Sequence, residues 1–440
     1  MSAEDLGRRL LGEVKTVGMD ELMRDFKNLC DPTPESRFGI PPLDRLLHIF
    51  EVASLPPPQV QKEPQSDDWS SSPPRGLPEA KNVARKVLKS KGPIVEITST
   101  TQGTGKTHLL YLVVSLAILP STYAGFNLKG KGGATVVFDS DGRFEVEKLV
   151  QVMRQHIKLC YEESLSAWEE ALQAATAEYC ETHDREEDAA LLPEPVQHRP
   201  KAIPEDEVET LIKSCLRHVH IFRPQSLTSL VSTLMSLQAY LFDRELHSSA
   251  HRPLHSIILD SASAFYWQTK AEEDNARLGI TFDPAIGSDS STDNSVSILE
   301  ASQLKALHQK VVTLLRSLQS TFSCTILYTS WSTQVPDSNN PRNLQLRPYL
   351  APPFFHFPIL RLALSRASVP PFAPTMSVLE ALHERGERQE VVEEGLFVAS
   401  VDQYAVDGWD KGTKDALREG AGEFEFVIQG KGVWIKEDGT

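Results

Sequence analysis

The stretch PIVEITSTTQGTGKTHLLYLVVSLAIL, residues 93–119, decides the fold. It opens on a strand, PIVEITS (93–99), whose apolar residues fall on both faces, as expected where helices cover a parallel sheet on each side. It closes on an apolar helix, HLLYLVVSLAIL (108–119). Between them lies Gly103-Thr104-Gly105-Lys106-Thr107. Glycines let the backbone curl until several N–H groups face inward, and the helix start adds the positive end of its dipole; together they cradle phosphate. In such a loop Lys106 reaches the β- and γ-phosphates and the Thr107 hydroxyl ligates Mg²⁺. The strict pattern GxxxxGK[ST] is broken at its first position, Thr100. A positive φ demanded there would shift the loop or weaken binding.

Working outward, strands and helices alternate. GGATVVFDS (132–140) reads as a second strand and FEVEKLVQVMRQHIKLC (144–160) as its helix. LIKSCLRHVHIFRP (211–224) contains a third strand, followed by a helix over 227–246. HSIILDSASAF (255–265) is a fourth strand, 298–322 a long helix and CTILYTS (324–330) a fifth strand. The end is β-rich, with GLFVASV (395–401) and FEFVIQGKGVWI (424–435) turning at Gly430 and Gly432. This alternation predicts an open, largely parallel α/β sheet covered on both faces. Asp260 ends the fourth strand, where a carboxylate can hold Mg²⁺ through water. In VVFDSDGRF (136–144), Asp139 and Asp141 stand just past the second strand at the same sheet edge. Either could orient an attacking water or the metal.

The chain has 440 residues, 40% apolar and 24% charged, a globular balance. Its net charge is −15, of which −12 falls within residues 161–210. The acidity therefore belongs to one partly helical insertion and does not exclude a nucleic-acid partner elsewhere. Five scattered cysteines (Cys30, Cys160, Cys180, Cys215, Cys324) form no CxxC pair and suit a reducing compartment. The start shows no signal-peptide run, and no stretch approaches the ~18 apolar residues of a membrane span, so a soluble intracellular chain is expected. Three parts are expected: a short N-terminal helical segment (1–50), a Pro/Ser-rich linker with a basic helix (51–90), and the core (91–440) carrying the acidic insertion 161–210. The basic stretch 81–91 holds Lys81, Arg85, Lys86, Lys89 and Lys91. His218, His220, His251 and His255 invite a metal reading, but no Cys or carboxylate closes the set, so satisfied or surface histidines are expected. A Ser/His/Asp hydrolase lacks its GxSxG elbow. The run Phe265-Tyr266-Trp267 could stack on bases, although packing in a core or interface is the commoner use.

Taken together, these motifs resemble the RecA-type recombinases, specifically the eukaryotic paralogues of the strand-exchange recombinase. RFGIPPLDRLL (37–47) is similar to the family's pre-core motif through Gly39, Leu43 and Asp44. VVFDSDGRF resembles its "IDTEG.F", with Asp141 where the recombinases place the Glu that polarises the attacking water. CLRHVHIFRPQSLTSLVSTL (215–234) is similar to the strand and helix before the metal-binding Asp, and ILDSASAFYW (258–267) and LRPYL (346–350) resemble one branch of the paralogues. The resemblance implies a RecA-like P-loop NTPase core binding ATP and Mg²⁺. It further implies a nuclear factor of homologous-recombination repair in a hetero-oligomer with other RecA-type paralogues, reaching single-stranded or branched DNA through that complex, with no membrane partner. The family's DNA-facing loops would be 268–297, here acidic to neutral, and 331–346, which offers Arg342 with Arg347 just beyond. Asp141 is one methylene shorter than the family's Glu, and the fifth strand ends Thr329-Ser330-Trp331 where a γ-phosphate-sensing Gln is usual, with Gln334 three residues on. These departures imply at most a weak DNA-dependent ATPase, in which nucleotide organises an interface. A nucleotide-independent scaffold and a P-loop kinase or transferase are the rival readings.

Overall fold

The computed structural model describes residues 37–53, 92–182, 199–278, 293–336, 344–369, 371–402, 404, 411–417, 422–430 and 432–436. The expected N-terminal helical segment as far as residue 36, most of the linker, the basic stretch 81–91 and Arg342 lie outside the described residues. In chain order the elements are α1 (Pro41–Ala53), β1 (Ile94–Ser99), α2 (Lys106–Ile118), β2 (Thr122–Tyr123), β3 (Phe126–Asn127), β4 (Ala134–Asp139), α3 (Val146–Thr182), α4 (Glu205–Leu216), β5 (Val219–Phe222), α5 (Leu227–Phe242), β6 (Leu254–Asp260), α6 (Tyr266–Leu278) and α7 (Asp293–Phe322). There follow β7 (Thr325–Pro336), β8 (Leu344–Pro348), β9 (Leu360–Arg366), α8 (Val378–Glu394), β10 (Leu396–Val401), α9 (Lys411–Ala416), β11 (Glu423–Gln429) and β12 (Gly432–Ile435).

One sheet runs in the order β12-β11-β10-β9-β1-β7-β6-β4-β5, with β8 paired to β7 off this path. The stretch from β9 to β5 is parallel throughout. The C-terminal strands β10, β11 and β12 extend it antiparallel. The period of two along each strand divides the core. Val95, Ile97, Val137, Ile258 and Leu327 face α1, α2, α3 and α4. Ile94, Val136, Phe138, Ile257, Leu259, Ile326 and Tyr328 face α5 and α7. Helix α2 is buried from Leu109 onward, which is why its sequence is apolar all round. The pre-core motif closes the same core: Phe38, Ile40, Leu43, Leu46 and Leu47 are buried, and the Phe38 N–H donates to Asp44 Oδ1 at 2.9 Å.

The structure corrects several boundaries. Helix α3 does not stop at residue 160 but, 37 residues long, continues to Thr182 within the acidic segment. The first half of 211–224 is the end of α4, an amphipathic helix with three acidic residues in its first turn, which suit the positive dipole end. The fourth strand ends at Asp260, because Ser261 takes a left-handed φ of 64° and turns the chain toward α6. The fifth strand continues to Pro336 as one arm of a ribbon with β8. Several elements went unanticipated, among them α6, which occupies the start of the expected loop 268–297. Strand β9 hides behind two arginines, and α8 is largely charged.

His218 and His220 are satisfied, whereas His255 places Nε2 2.9 Å from the Arg37 carbonyl and leaves Nδ1 buried without a partner among the described residues. The Ser249 hydroxyl lies 3.0 Å from His218 Nδ1 and 2.9 Å from His220 Nε2, and the Tyr240 hydroxyl lies 2.9 Å from His220 Nδ1. Burial pushes both imidazoles down to about 4, so they are neutral at pH 7. Among the described residues, no group of three or more His, Cys, Asp or Glu is placed to hold a metal. Ser249→Ala leaves two buried imidazoles short of a partner and is expected to cost about 1–2 kcal/mol, read as a lower urea midpoint. No helix among the described residues is long and apolar enough to cross a membrane.

Candidate phosphate-binding site

Strands β1, β4, β6 and β7 all end at one sheet edge, the place where open α/β sheets bind ligands. There the loop after β1 opens a cleft of about 270 Å³, lined among others by Gly103, Lys106, Thr107, Asp141, Asp260 and Trp331. Gly103 to Thr107, Asp141 and Asp260, singled out from the sequence, therefore meet in one place, whereas Asp139 and Gln334 do not line it. Gly103 (φ 69°) and Gly105 (φ 83°) adopt the left-handed backbone that curls the loop. Thr100 does not; it is absent from the four described non-glycine residues with positive φ, so the missing first glycine leaves the loop unstrained. A side chain at Gly105 would also meet the Ile428 Cδ1 at 2.9 Å. Helix α2 begins without a side-chain cap and without an acidic residue in its first turn, leaving its N–H groups directed at whatever fills the cleft. The Thr104 hydroxyl is buried with no hydrogen-bond partner among the described residues. This donor set suits phosphate oxygens.

The carboxylates differ in their surroundings. Asp139 and Asp260 are register partners at the ends of β4 and β6. Asp139 is buried and fully engaged: Arg223 Nε donates to Oδ2 at 3.0 Å and the Arg143 N–H to Oδ1 at 2.9 Å. It anchors the turn and does not face the cleft's contents. Asp260 accepts from Thr329 Oγ1 at 2.7 Å and from Thr107 Oγ1 at 3.4 Å, while Thr329 Oγ1 in turn accepts from the Ser261 N–H at 2.6 Å. Burial pushes its carboxyl up to about 6, and the charges of Asp141 and Asp139 add to that rise. Asp141 lines the cleft, raised by burial and restrained by Arg143, whose Nε lies 3.7 Å away. Thr107 and Asp260 thus form a hydroxyl–carboxylate pair able to hold a cation once phosphate oxygens complete its shell.

Lys106 is the departure. Its ammonium donates to Ser99 Oγ, and the Trp331 ring centroid lies 4.1 Å from Nζ. Burial lowers its pKa to about 8, against the pull of Asp260 and Asp141. Gln334 lies outside the cleft, exposed on the β7–β8 ribbon opposite Leu346. Neither Ser99, Thr329 nor Arg223 carries a sequence signal of its role; Ser99 meets Lys106 within the loop, whereas Thr329 and Arg223 reach their partners only across 68 and 84 residues.

No protein-family profile matches the chain. Among curated proteins it is similar to the DNA repair protein XRCC2 homolog of Arabidopsis thaliana, 24% identical over 216 residues. The match covers 46% of this chain and spans about half of that protein, 52%. The mixed, mostly parallel sheet and this likeness are consistent with a RecA-like core.

Proposed function

We propose that this chain is a RecA-type recombinase paralogue of the XRCC2 branch, binding adenine nucleotide with Mg²⁺ and serving DNA repair by homologous recombination. The convergence of Lys106, Thr107, Asp141 and Asp260 on one cleft after β1 carries the nucleotide reading. Likeness to a plant XRCC2 homolog supports the repair reading. In this assignment the loop N–H groups and Lys106 bind phosphate, and Thr107 and Asp260 hold the metal, which would neutralise phosphate charge. Asp141 is the candidate to orient water. Its partial engagement by Arg143 and its short side chain favour slow turnover, so bound nucleotide orders an interface with other paralogues in the nucleus. Single- or branched-strand DNA is then met by the assembled complex.

Lys106→Ala tests this directly. Loss of a charge-assisted contact should weaken Mg-nucleotide binding by about 10- to 100-fold in equilibrium titration. The fold should be unchanged by circular dichroism. If complex assembly and repair survive Lys106→Ala intact, the scaffold reading replaces this one.

A further inference from the structure

We propose that Trp331 makes the cleft selective for nucleoside diphosphate over triphosphate, an inference that rests on the nucleotide reading above. A lysine ammonium has three N–H donors. In this cleft one serves Ser99 Oγ, and the Trp331 ring face at 4.1 Å takes the side of Nζ it covers. A phosphate oxygen needs to come within about 2.8 Å of Nζ, and it cannot do so through the ring. The remaining donor is enough for one phosphate group. It is not enough for the two that a phosphate-loop lysine bridges in a triphosphate.

The ring cannot simply swing aside with its strand. The Trp331 N–H donates to Ser263 Oγ at 3.0 Å, its carbonyl accepts from the Tyr349 N–H at 2.7 Å, and the residue is the register partner of Ser99 on β1. Backbone position is thus held from three sides, and the indole forms a wall of the cleft.

Charge points the same way. The cleft lining carries three cationic side chains, Lys106, Arg143 and Lys148, against three carboxylates, Asp141, Glu145 and Asp260. Arg143 and Lys148 are already close to Asp141 and Glu145, at 3.7 and 3.1 Å. A terminal phosphate would add negative charge that no further cation in this lining meets, next to the buried Asp260.

The experiment compares Mg-ADP with the Mg complex of a non-hydrolysable β,γ-imido triphosphate, by calorimetric titration of the full chain. The wild type is expected to bind Mg-ADP about tenfold tighter or more, the loss of roughly one charge-assisted contact. Trp331→Ala should shrink that ratio to about threefold or less, and Trp331→Phe, which keeps a ring, should preserve it. A wild type that binds the triphosphate equally or better overturns the inference and leaves the nucleotide site standing, and this ratio depends on no variant folding. A ratio unchanged in well-folded Trp331→Ala also overturns it. Absence of binding by either nucleotide defeats the underlying nucleotide reading, and the selectivity falls with it.

Discussion

Arg361→Met is expected to destabilise the fold by about 3–5 kcal/mol, because it strands a buried carboxylate. Three adjacent strands place Tyr328, Glu96 and Arg361 side by side in register. Glu96 is fully buried, and Arg361 is only 3% exposed. Arg361 Nε donates to Glu96 Oε2 at 2.7 Å and Nη1 to the Tyr404 carbonyl at 2.6 Å. Tyr328 and Ser330 donate to the two Glu96 oxygens at 3.1 and 2.6 Å. Asp402 lies 3.9 Å from the guanidinium and also accepts from the Leu346 N–H at 3.2 Å. The network ties the parallel core to the segment beyond β10. Removing the cation alone leaves Glu96 charged in a dry interior. Pairing the change with Glu96→Gln removes that charge and keeps an acceptor for Tyr328, so the double variant should recover about 1–2 kcal/mol. Denaturant midpoints of the two single variants and the double variant check this. Additive losses would refute the coupling.

Asp260→Asn is expected to stabilise the metal-free protein by about 3 kcal/mol at pH 7 while abolishing Mg-dependent nucleotide binding. The sign follows from proton counts. Unfolded, the carboxyl titrates near 3.8; folded, it holds its proton up to about 6. Between those values the native state binds more protons, so stability falls as pH rises through roughly 4 to 6 and the full penalty persists above. About two pKa units at 1.36 kcal/mol each give the size. Asparagine keeps an acceptor for Thr329 and removes like-charge repulsion from Asp139 and Asp141. Melting curves in EDTA at pH 4.5 and 7 would show about a third of the variant's advantage at the lower pH and all of it at the higher. A variant less stable than wild type at pH 7 would mean that the Asp260 charge is not a burden to the fold. Stability gained where binding is lost is the mark of a residue kept for its ligand.

The parts of this structure legible in the sequence share one property: their signal is local. Apolar runs ending at Ser99, Asp139, Asp260 and Ser330 marked the parallel strands, and the glycines around Thr104 marked the loop between strand and helix. Thr100 raised a doubt that only its backbone φ could answer. What stayed hidden is long-range. Arg223 captures Asp139 from 84 residues away, which converts a candidate water-orienting carboxylate into an anchor. Trp331 reads in the sequence only as a missing polar sensor at a strand end, and nothing there places its ring beside Lys106. Strand β9 escaped because Arg361 breaks its apolar pattern, and that arginine is tolerated only because Glu96 sits beside it on another strand. In α8 the charged sequence masks a helix whose start is nonetheless marked by a Ser377/Glu380 capping box.

The position of β1 in the sheet has a consequence for how the protein is made. Its two neighbours, β7 and β9, come from far downstream; Thr98 meets Ser330 across 232 residues, and Glu96 meets Arg361 across 265. At roughly 5–20 residues per second on the ribosome, the strand before the glycine-rich loop waits about 13–53 s for its second partner. For most of that time, until β7 emerges, the strand has no neighbour in the sheet and the apolar helix behind it is incompletely covered. Slow, non-local closure of this kind exposes a nascent chain to aggregation. Yield of folded protein should therefore depend on chaperone capacity and on synthesis temperature far more than the stability of the finished fold would suggest.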